Sequence, residues 1–486
     1  MSTAPEGPMH IHFLGICGYA VSGAALTARD LGHLVTGSDD EAYPPTTTIL
    51  TQAGIAWTNH SDPANLDRNG RPDLVVVGNQ TRPGNPELEA ARARGLAVVS
   101  EPEFWSRLTR DRLRIAVCGT HGKTTTAALL SWMLEAAGRQ PGFRLGATSR
   151  DFGASARLGD TGRGRPFVFE GDEYTTAPWD PRPKFLHIRP TLACLTVLEH
   201  DHPDVYPDMA SYLAPFHELV AGLPKAGKLV VFGDDPACRE VAAAASCPVV
   251  VYGQSAGLLH QLGEAVHEPD GHGGLRQRFT IADERSDFPD QYEVELGLPG
   301  AHNRLNTMAA LLLAGYAAAP LRPCLEACAV FRGPTRRFEV KGVAGGVTVV
   351  DDYGHHPAEV AAVIEAARER YPEGRLLVLN IPHTYSRTLT MLDEYERCYR
   401  GADLVLVGPI EAARERGQDP PVTKYDVAAR ARHTVPRAAA VGSAEEAIDE
   451  LVDEARSGDV VLCISLGGFD GVADRLATAL RERHGQ

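Results

Sequence analysis

No apolar run in the chain approaches the roughly 20 residues that would span a bilayer, so a membrane partner is not expected. The opening Met1-Ser2-Thr3-Ala4-Pro5-Glu6 has no basic region followed by an apolar segment, which argues against an export signal and for a cytoplasmic protein. Basic charge is in deficit: the net charge is −15, which disfavours nucleic acid or an anionic membrane surface as the main partner. The nine cysteines are odd in number and include no Cys-x-x-Cys pair. Reduced, buried thiols are expected, and zinc-ribbon or thiol-redox chemistry is not. Repeats at solenoid spacing and low-complexity tails are missing too. What remains is ordinary: 43% hydrophobic and 23% charged residues, over 486 positions that are too many for one core. About three domains are expected.

The strongest positive signal is Gly119-Thr120-His121-Gly122-Lys123-Thr124-Thr125-Thr126. An apolar run, Arg114 to Cys118, precedes it as a strand, and Ala127 to Leu134 follows as a helix. A glycine-bearing loop at that junction turns backbone N–H groups and the positive helix end toward one point, which suits phosphate. Lys123 reaches outer phosphates, and the Thr124 hydroxyl suits Mg²⁺. Val117 stands where ordinary P-loops begin with glycine, so this loop is shorter than usual. The alternative is a glycine-rich turn with a solvated lysine.

Strand and helix patterns alternate along the whole chain, predicting α/β segments with parallel, doubly wound sheets and ligands at the carboxyl ends of the strands. Segment 1–112 has strands at His10–Gly15, His33–Asp39 and Asp73–Gly78 and a helix from Ala20 to Leu31. Segment 113–330 carries the phosphate loop, a strand Pro166–Glu170, another at Thr191–Val197, and a hairpin between about 254 and 295 around Pro269-Asp270-Gly271-His272-Gly273-Gly274. Segment 331–486 has strands Val347–Asp351, Arg375–Asn380, Asp403–Val407 and Asp459–Ser465, with helices beginning near Pro357, Thr388, Ser443 and Gly471.

Several loops carry chemistry. Gly15-Ile16-Cys17-Gly18-Tyr19-Ala20-Val21-Ser22-Gly23 resembles a dinucleotide turn, with Cys17 in place of the second glycine and Asp39 where an acid would hold a ribose. Glu170 ends the strand expected beside the phosphate-loop strand and is placed to complete Mg²⁺ coordination with Thr124. Asp172 and Glu173 follow in the same turn, and Leu198-Glu199-His200-Asp201-His202 closes the next strand. Gly300-Ala301-His302-Asn303-Arg304-Leu305-Asn306 opens a helix that either caps itself or faces a nucleotide base. Arg336 and Arg337 follow a Gly-Pro turn and suit phosphate. Asp351-Asp352-Tyr353-Gly354-His355-His356-Pro357 and Pro382-His383-Thr384-Tyr385-Ser386-Arg387-Thr388 each close a strand; Arg387 suits a carboxylate and His355 an amine.

Taken together, these motifs resemble the Mur ligase family, the ATP-dependent amide-bond enzymes of peptidoglycan building. The first two segments are most similar to the branch that joins UDP-N-acetylmuramate to a preformed tripeptide, L-alanyl-γ-D-glutamyl-meso-diaminopimelate. The phrases that carry this are Leu14–Gly18, Tyr43-Pro44-Pro45, Arg82–Pro86, Pro141-Gly142-Phe143, Lys184–His187 and Gly467-Gly468-Phe469. The Pro382–Thr388 loop resembles the branch that adds L-alanine, with Thr384 in place of an arginine; Val197 stands where the family usually has asparagine. The resemblance implies three domains: a Rossmann-like UDP-sugar domain (1–112), a P-loop ATPase-type domain (113–330) and a Rossmann-like amine-substrate domain (331–486), closing over ligands. It implies attack of the lactyl carboxylate on ATP, an acyl phosphate, and displacement of phosphate by an amino acid or short peptide. By this resemblance, Gly15, Gly18, Ser22, Ser38, Asp39 and Asn79 receive the UDP-sugar. Gly119, Thr120, His121, Gly122, Lys123, Thr124 and Thr125, with His302, Asn303, Asn306, Arg336, Arg337 and Asp351, receive ATP. Thr124, Glu170 and His202 hold Mg²⁺, and Tyr353, His355 and Arg387 receive the amine. Lys123, Glu170, His202 and His355 are the expected catalytic groups. Three other classes stay open: a nicotinamide oxidoreductase resting on the Gly15 turn, a non-catalytic nucleotide-sugar-binding protein, and a ligase of the same fold acting on another carboxylate. Oligomeric state is not legible.

Overall fold

The computed structural model describes residues 7–42, 46–203, 205–255, 258, 260–271, 274–283, 289–417 and 419–485. The opening Met1–Glu6, Tyr43-Pro44-Pro45 and His272 therefore lie outside the described residues. These form two compact units. One takes in the described residues of Met1–Glu199, Ala210–Leu258 and Ala309–Ala327; the other those of His200–Met209, Leu259–Met308 and Cys328–Gln486. No helix among the described residues is long and apolar enough to cross a membrane.

The first unit begins with β1 (His10–Leu14), β2 (Leu34–Ser38), β3 (Ala56–Thr58), β4 (Leu74–Val77) and β5 (Ala97–Ser100). They form a parallel sheet in the order β3-β2-β1-β4-β5. The order reverses beside β1, so the turn after it opens at the switch point where such sheets bind ligands. Gly37 on β2 is obligatory, because a Cβ there would lie 2.6 Å from both the Phe13 carbonyl and the Ile16 side chain.

A second sheet follows: β6 (Leu113–Cys118), β7 (Gly142–Ser149), β8 (Ala154–Arg157), β9 (Pro166–Glu170), then, after a small β10–β11 ribbon (Thr175–Ala177, Asp180–Pro183), β12 (Leu192–Leu195), β13 (Lys228–Phe232) and β14 (Val249–Gly253). Its order in this unit is β14-β13-β12-β6-β9-β7-β8. β6 is flanked by two parallel neighbours in registers that pair Val117 with Glu170 and Cys118 with Leu195. Strands buried on both faces read as continuous Val/Ile/Leu runs, which is why β4 and β6 were legible. An aromatic chain links the two sheets: Phe13 lies 5.8 Å from Phe104, Phe104 6.0 Å from Trp105, and Trp105 5.4 Å from Phe167 of β9. Gly23, on the helix after β1, lets β8 approach so closely that a Cβ would sit 2.9 Å from that of Ala156.

In the second unit, β15 (His260–Pro269), β16 (Leu275–Asp283) and β17 (Gln291–Leu296) form an antiparallel meander, the expected hairpin plus one further strand. β18 (Glu339–Ala344), β19 (Val347–Asp352), β20 (Leu376–Ile381), β21 (Leu404–Val407), β22 (Arg437–Ala440) and β23 (Val460–Ser465) form a six-stranded sheet, order β18-β19-β23-β20-β21-β22. All are parallel except β18, which hairpins onto β19 through Gly345 and Gly346 at φ 57° and 78°. Apolar side chains cover both faces of this sheet. The α/β, parallel-sheet expectation holds.

One element is corrected. A helix was expected to begin near Thr388; instead Tyr385–Thr390 is a single short helix with Thr388 inside it. Thr384 enters at φ 59°, and the Tyr385 and Ser386 N–H groups donate to the Glu415 carboxylate at 2.5 and 3.2 Å. A carboxylate 30 positions along the chain supplies the cap, which local pattern cannot reveal.

Candidate active site

The phosphate loop leaves the carboxyl end of β6, between the ends of β9 and β12. Gly119 has φ 135°, and a Cβ there would fall 2.2 Å from Thr196 Oγ1. The loop is pinned by Thr120 N–H on the Val197 carbonyl (2.6 Å), Thr120 Oγ1 on the Glu199 carbonyl (2.9 Å) and Thr196 Oγ1 on the His121 carbonyl (2.6 Å). His121 Nε2 lies 3.2 Å from a Glu199 carboxylate oxygen. Gly122 precedes the helix Lys123–Ala136 at φ 79°, with no side chain capping the first turn. A bare helix start of fourteen residues is an anion-binding terminus.

Lys123 Nζ donates to the Gly119 and Thr120 carbonyls at 2.7 and 2.9 Å and to Glu173 at 3.1 Å. Burial alone would lower its pKa, but Glu173 and then Glu170 outweigh it and hold the ammonium above its ordinary range. Thr124 Oγ1 donates to Glu170 Oε1 at 2.8 Å, and the Gly146 N–H to Glu170 Oε2 at 2.6 Å. A hydroxyl in the first turn of that helix and a carboxylate at the end of β9 are hard oxygen donors that fit Mg²⁺. Beside them, Lys184 binds Asp172 at 2.7 Å; against the burial that would raise it, Lys184 and Arg144 hold the Asp172 carboxyl well below the usual range.

At the turn after β1, Gly15 has φ 73° and its N–H donates to the Ser38 carbonyl at 2.8 Å. Gly18 N–H donates to the Gly15 carbonyl at 3.1 Å. Asp39 accepts the Cys17 N–H at 2.8 Å, so its carboxylate fastens the turn; burial pushes its pKa up. Ser38 donates to the buried Glu87 at 2.7 Å and Ser22 to the Tyr19 carbonyl at 3.0 Å. Asn79 follows the end of β4, half-buried.

The second unit gathers the rest. His302 is half-buried at the start of helix Ala301–Tyr316, its pKa pushed down to about 4 by burial and then by Arg337. Asn303 Nδ2 donates to the Pro299 carbonyl at 2.7 Å and Asn306 Nδ2 to Asn303 Oδ1 at 3.2 Å, so both help organise this helix start. Arg336 and Arg337 diverge. The Arg336 guanidinium is held by Asp351 (3.1 Å) and the Leu466 carbonyl (2.7 Å), tying β19 to β23. Arg337 stacks 5.2 Å from the Tyr353 ring centroid and lies 3.6 Å from Glu359. Asp352 accepts the Phe338 and Gly354 N–H groups at 2.8 and 2.7 Å, yet burial pushes it up to about 6.

After β19 and β20, Tyr353, His355 and His383 form a ring series with centroid spacings of 5.9 and 5.6 Å. Burial holds His355 down at about 4 and His383 at about 3. Arg387, 2% exposed, donates through Nε and Nη2 to one oxygen of Asp201 at 3.0 and 2.6 Å, and lies 3.0 Å from His383 Nδ1 and 3.4 Å from His202 Nδ1. His202 sits at φ 57°. Thr124 and Glu170 are thus brought together in the first unit, whereas His202 joins Arg387 in the second. Glu173, Asp201, His383 and Glu359 were not singled out as site residues. Glu173, Asp201 and His383 lie inside the quoted motifs, where the signal available was their position after strand ends; Glu359 lies two residues past Pro357, in the first turn of the helix Pro357–Arg370.

Three family descriptions match the chain in order: "Mur ligase family, catalytic domain" over residues 10–112, "Mur ligase middle domain" over 117–314 and "Mur ligase, glutamate ligase domain" over 336–467. The chain is 34% identical to a UDP-N-acetylmuramate–L-alanine ligase of Roseiflexus sp. (strain RS-1), over 98% of this chain and 100% of that one. It is also 34% identical to the UDP-N-acetylmuramate–L-alanyl-γ-D-glutamyl-meso-2,6-diaminoheptandioate ligase of Escherichia coli (strain K12), over 98% and 99%. Among solved structures, a murein peptide ligase from Psychrobacter arcticus 273-4 superposes with TM-score 0.71 at 30% identity, covering 97% of this chain and 99% of that one. With every segment matched in order along full-length relatives, the chain belongs to the Mur ligase family of ATP-dependent ligases.

Proposed function

We propose that this ligase joins the lactyl carboxylate of UDP-N-acetylmuramate to the amine of a peptide of the L-Ala-γ-D-Glu-meso-diaminopimelate type, in peptidoglycan synthesis or recycling. The observation that carries the ATP half is the pairing of Lys123 and Thr124 with Glu173 and Glu170 at the ends of β6 and β9. The three segments then divide the work: 1–112 for the UDP-sugar, 113–330 for ATP, 331–486 for the amine substrate.

Gly119 to Thr125 receive the ATP phosphates, and Lys123 leaves Glu173 to neutralise the outer two. Thr124 and Glu170 hold Mg²⁺, which offsets phosphate charge, and His202 serves the acyl-phosphate stage. His302, Asn303 and Asn306 face the base; Arg337 adds positive charge, while Arg336 and Asp351 brace it. The sugar carboxylate takes the γ-phosphoryl group, releasing ADP; the amine then attacks the acyl carbon and phosphate leaves. Positioning and charge neutralisation carry most of the acceleration. The low pKa of His355 keeps it neutral, so it orients an incoming amine by a hydrogen bond beside Tyr353.

L-alanine is the second reading, favoured by the Pro382–Thr388 loop. Purified protein given ATP, Mg²⁺ and UDP-N-acetylmuramate is offered L-alanine and the tripeptide in parallel, with product mass and phosphate release as readouts. Tripeptide product supports the proposal, L-alanine product transfers it to the second reading, and amide formation with neither overturns both.

A further inference from the structure

The first unit carries a second concentration of positive charge that none of these roles uses. Arg107 lies in the last turn of the helix Glu101–Leu108, Arg110 in the turn that follows, and Arg114 is the second residue of β6. With Arg189 they line a cavity of about 360 Å³, which Arg182 and His187 close from the side of β11. That volume falls within the roughly 300–1,000 Å³ of small-molecule sites.

The acids nearby are engaged. Asp180 takes Arg182 at 2.9 and 2.7 Å and lies 3.0 Å from His187 Nε2. Glu103, the acid in the wall, accepts the Ser100 N–H and hydroxyl at 2.8 and 2.9 Å. Among the described residues, Arg107, Arg110, Arg114 and Arg189 have no ion-pair partner. Arg112, in the same stretch, shows the contrast: its guanidinium is bound by the Arg165, Leu158 and Pro166 carbonyls at 3.2, 3.2 and 3.1 Å. Burial, then Arg189 and Arg110, hold Arg114 below its ordinary pKa range, so the group works against its neighbours. Arg189 also sits at φ 47°, a backbone cost for a residue with a Cβ. Four arginines without an ion pair face one cavity with Glu103 as the single acid in its wall, and an anion would offset the excess positive charge.

The cavity is separate from the phosphate loop, since Arg114 is at the amino end of β6 and the loop leaves its carboxyl end, about 15 Å away along the strand. Guanidinium forks match phosphate oxygens in pairs. Leu186 is the apolar side chain in the wall, His187 is held by Asp180, and among the described residues no Phe, Tyr or Trp lines the cavity to stack a base. We propose that this cavity binds a compact polyanion carrying two or more phosphate groups, held by Arg107, Arg110, Arg114 and Arg189. The proposal does not depend on the ligase substrates.

The test is equilibrium dialysis of labelled pyrophosphate against the full chain, with the phosphate loop disabled by Lys123→Ala or, separately, filled with a non-hydrolysable ATP analogue. One equivalent should remain bound in both cases. The variant Arg110→Ala/Arg189→Ala should weaken it by about tenfold or more, with an unchanged circular dichroism spectrum, since both side chains are exposed. Arg110→Lys/Arg189→Lys should recover only part of the affinity. No pyrophosphate bound beyond the loop, equal binding by the alanine variant, or citrate binding as tightly as pyrophosphate would overturn the proposal.

Discussion

Arg387 places two of its nitrogens on a single oxygen of Asp201, both side chains deeply buried. Burial alone would raise the Asp201 pKa, but Arg387 and then His202 hold it far below the usual carboxylate range. The arginine assigned to the amine substrate therefore already grips a carboxylate of the protein itself. Asp201→Ala leaves that guanidinium buried without its partner and should destabilise the protein by about 3–5 kcal/mol. Urea denaturation measures this; a loss under 1 kcal/mol would show that the pair contributes little.

The histidines set a pH signature. His302, His355 and His383 have folded pKa values of about 4, 4 and 3 against an ordinary 6.5. Above 6.5 they are neutral folded or unfolded and contribute no slope. Below it the unfolded chain takes up protons that the folded one refuses, so stability falls as pH drops from 6.5 toward 4. Asp352, raised to about 6, acts with the opposite sign between 3.8 and 6. The difference between wild type and His355→Gln cancels that contribution. Midpoints of urea unfolding measured across this range should fall less steeply for the variant.

Lys123→Ala removes the charge expected to meet the outer ATP phosphates. Turnover should drop by about 10²- to 10³-fold, read as ATP-dependent phosphate release. Retention of full turnover would remove Lys123 from the mechanism.

Glu170→Gln keeps the shape but removes the charge beside Thr124. The Mg²⁺ concentration giving half-maximal rate should rise by about tenfold or more. An unchanged Mg²⁺ dependence would place the ion elsewhere.

Gly119→Ala forces a Cβ onto Thr196 at a φ of 135°. A cost of about 3 kcal/mol is expected, seen as a lowered thermal midpoint together with weakened nucleotide binding.

What was legible in the chain was local. Buried parallel strands announce themselves as Val-rich runs, and glycine turns at their ends mark where ligands enter, so β1, β6, β19 and the loops after them could be placed. The β18 hairpin was missed because Glu339-Val340-Lys341-Gly342 mixes charge with β-formers at a sheet edge. The short Tyr385–Thr390 helix was misplaced because its cap, Glu415, comes from a distant loop. The same reason hid the partners inside the motifs. Nothing around Lys123 points to Glu173, nor around Arg387 to Asp201, because each pair closes only when separate strands align. Arg336 and Arg337 look alike in sequence and both lie over Tyr353, yet one is bound to Asp351 and the Ser465 and Leu466 carbonyls and the other faces Glu359.

The aromatic chain from Phe13 through Phe104 and Trp105 to Phe167, with the close packing at Gly23, has a mechanical consequence. It packs the sheet bearing the Gly15 turn against the sheet bearing the Gly119 loop. Packing of this kind sets the gap between those turns much as a caliper is set. Under the proposed function, a UDP-sugar whose carboxylate is set back by even one bond length should be gripped at the uridine end and still miss the phosphate. Shortened or lengthened substrate analogues would show this as binding without turnover.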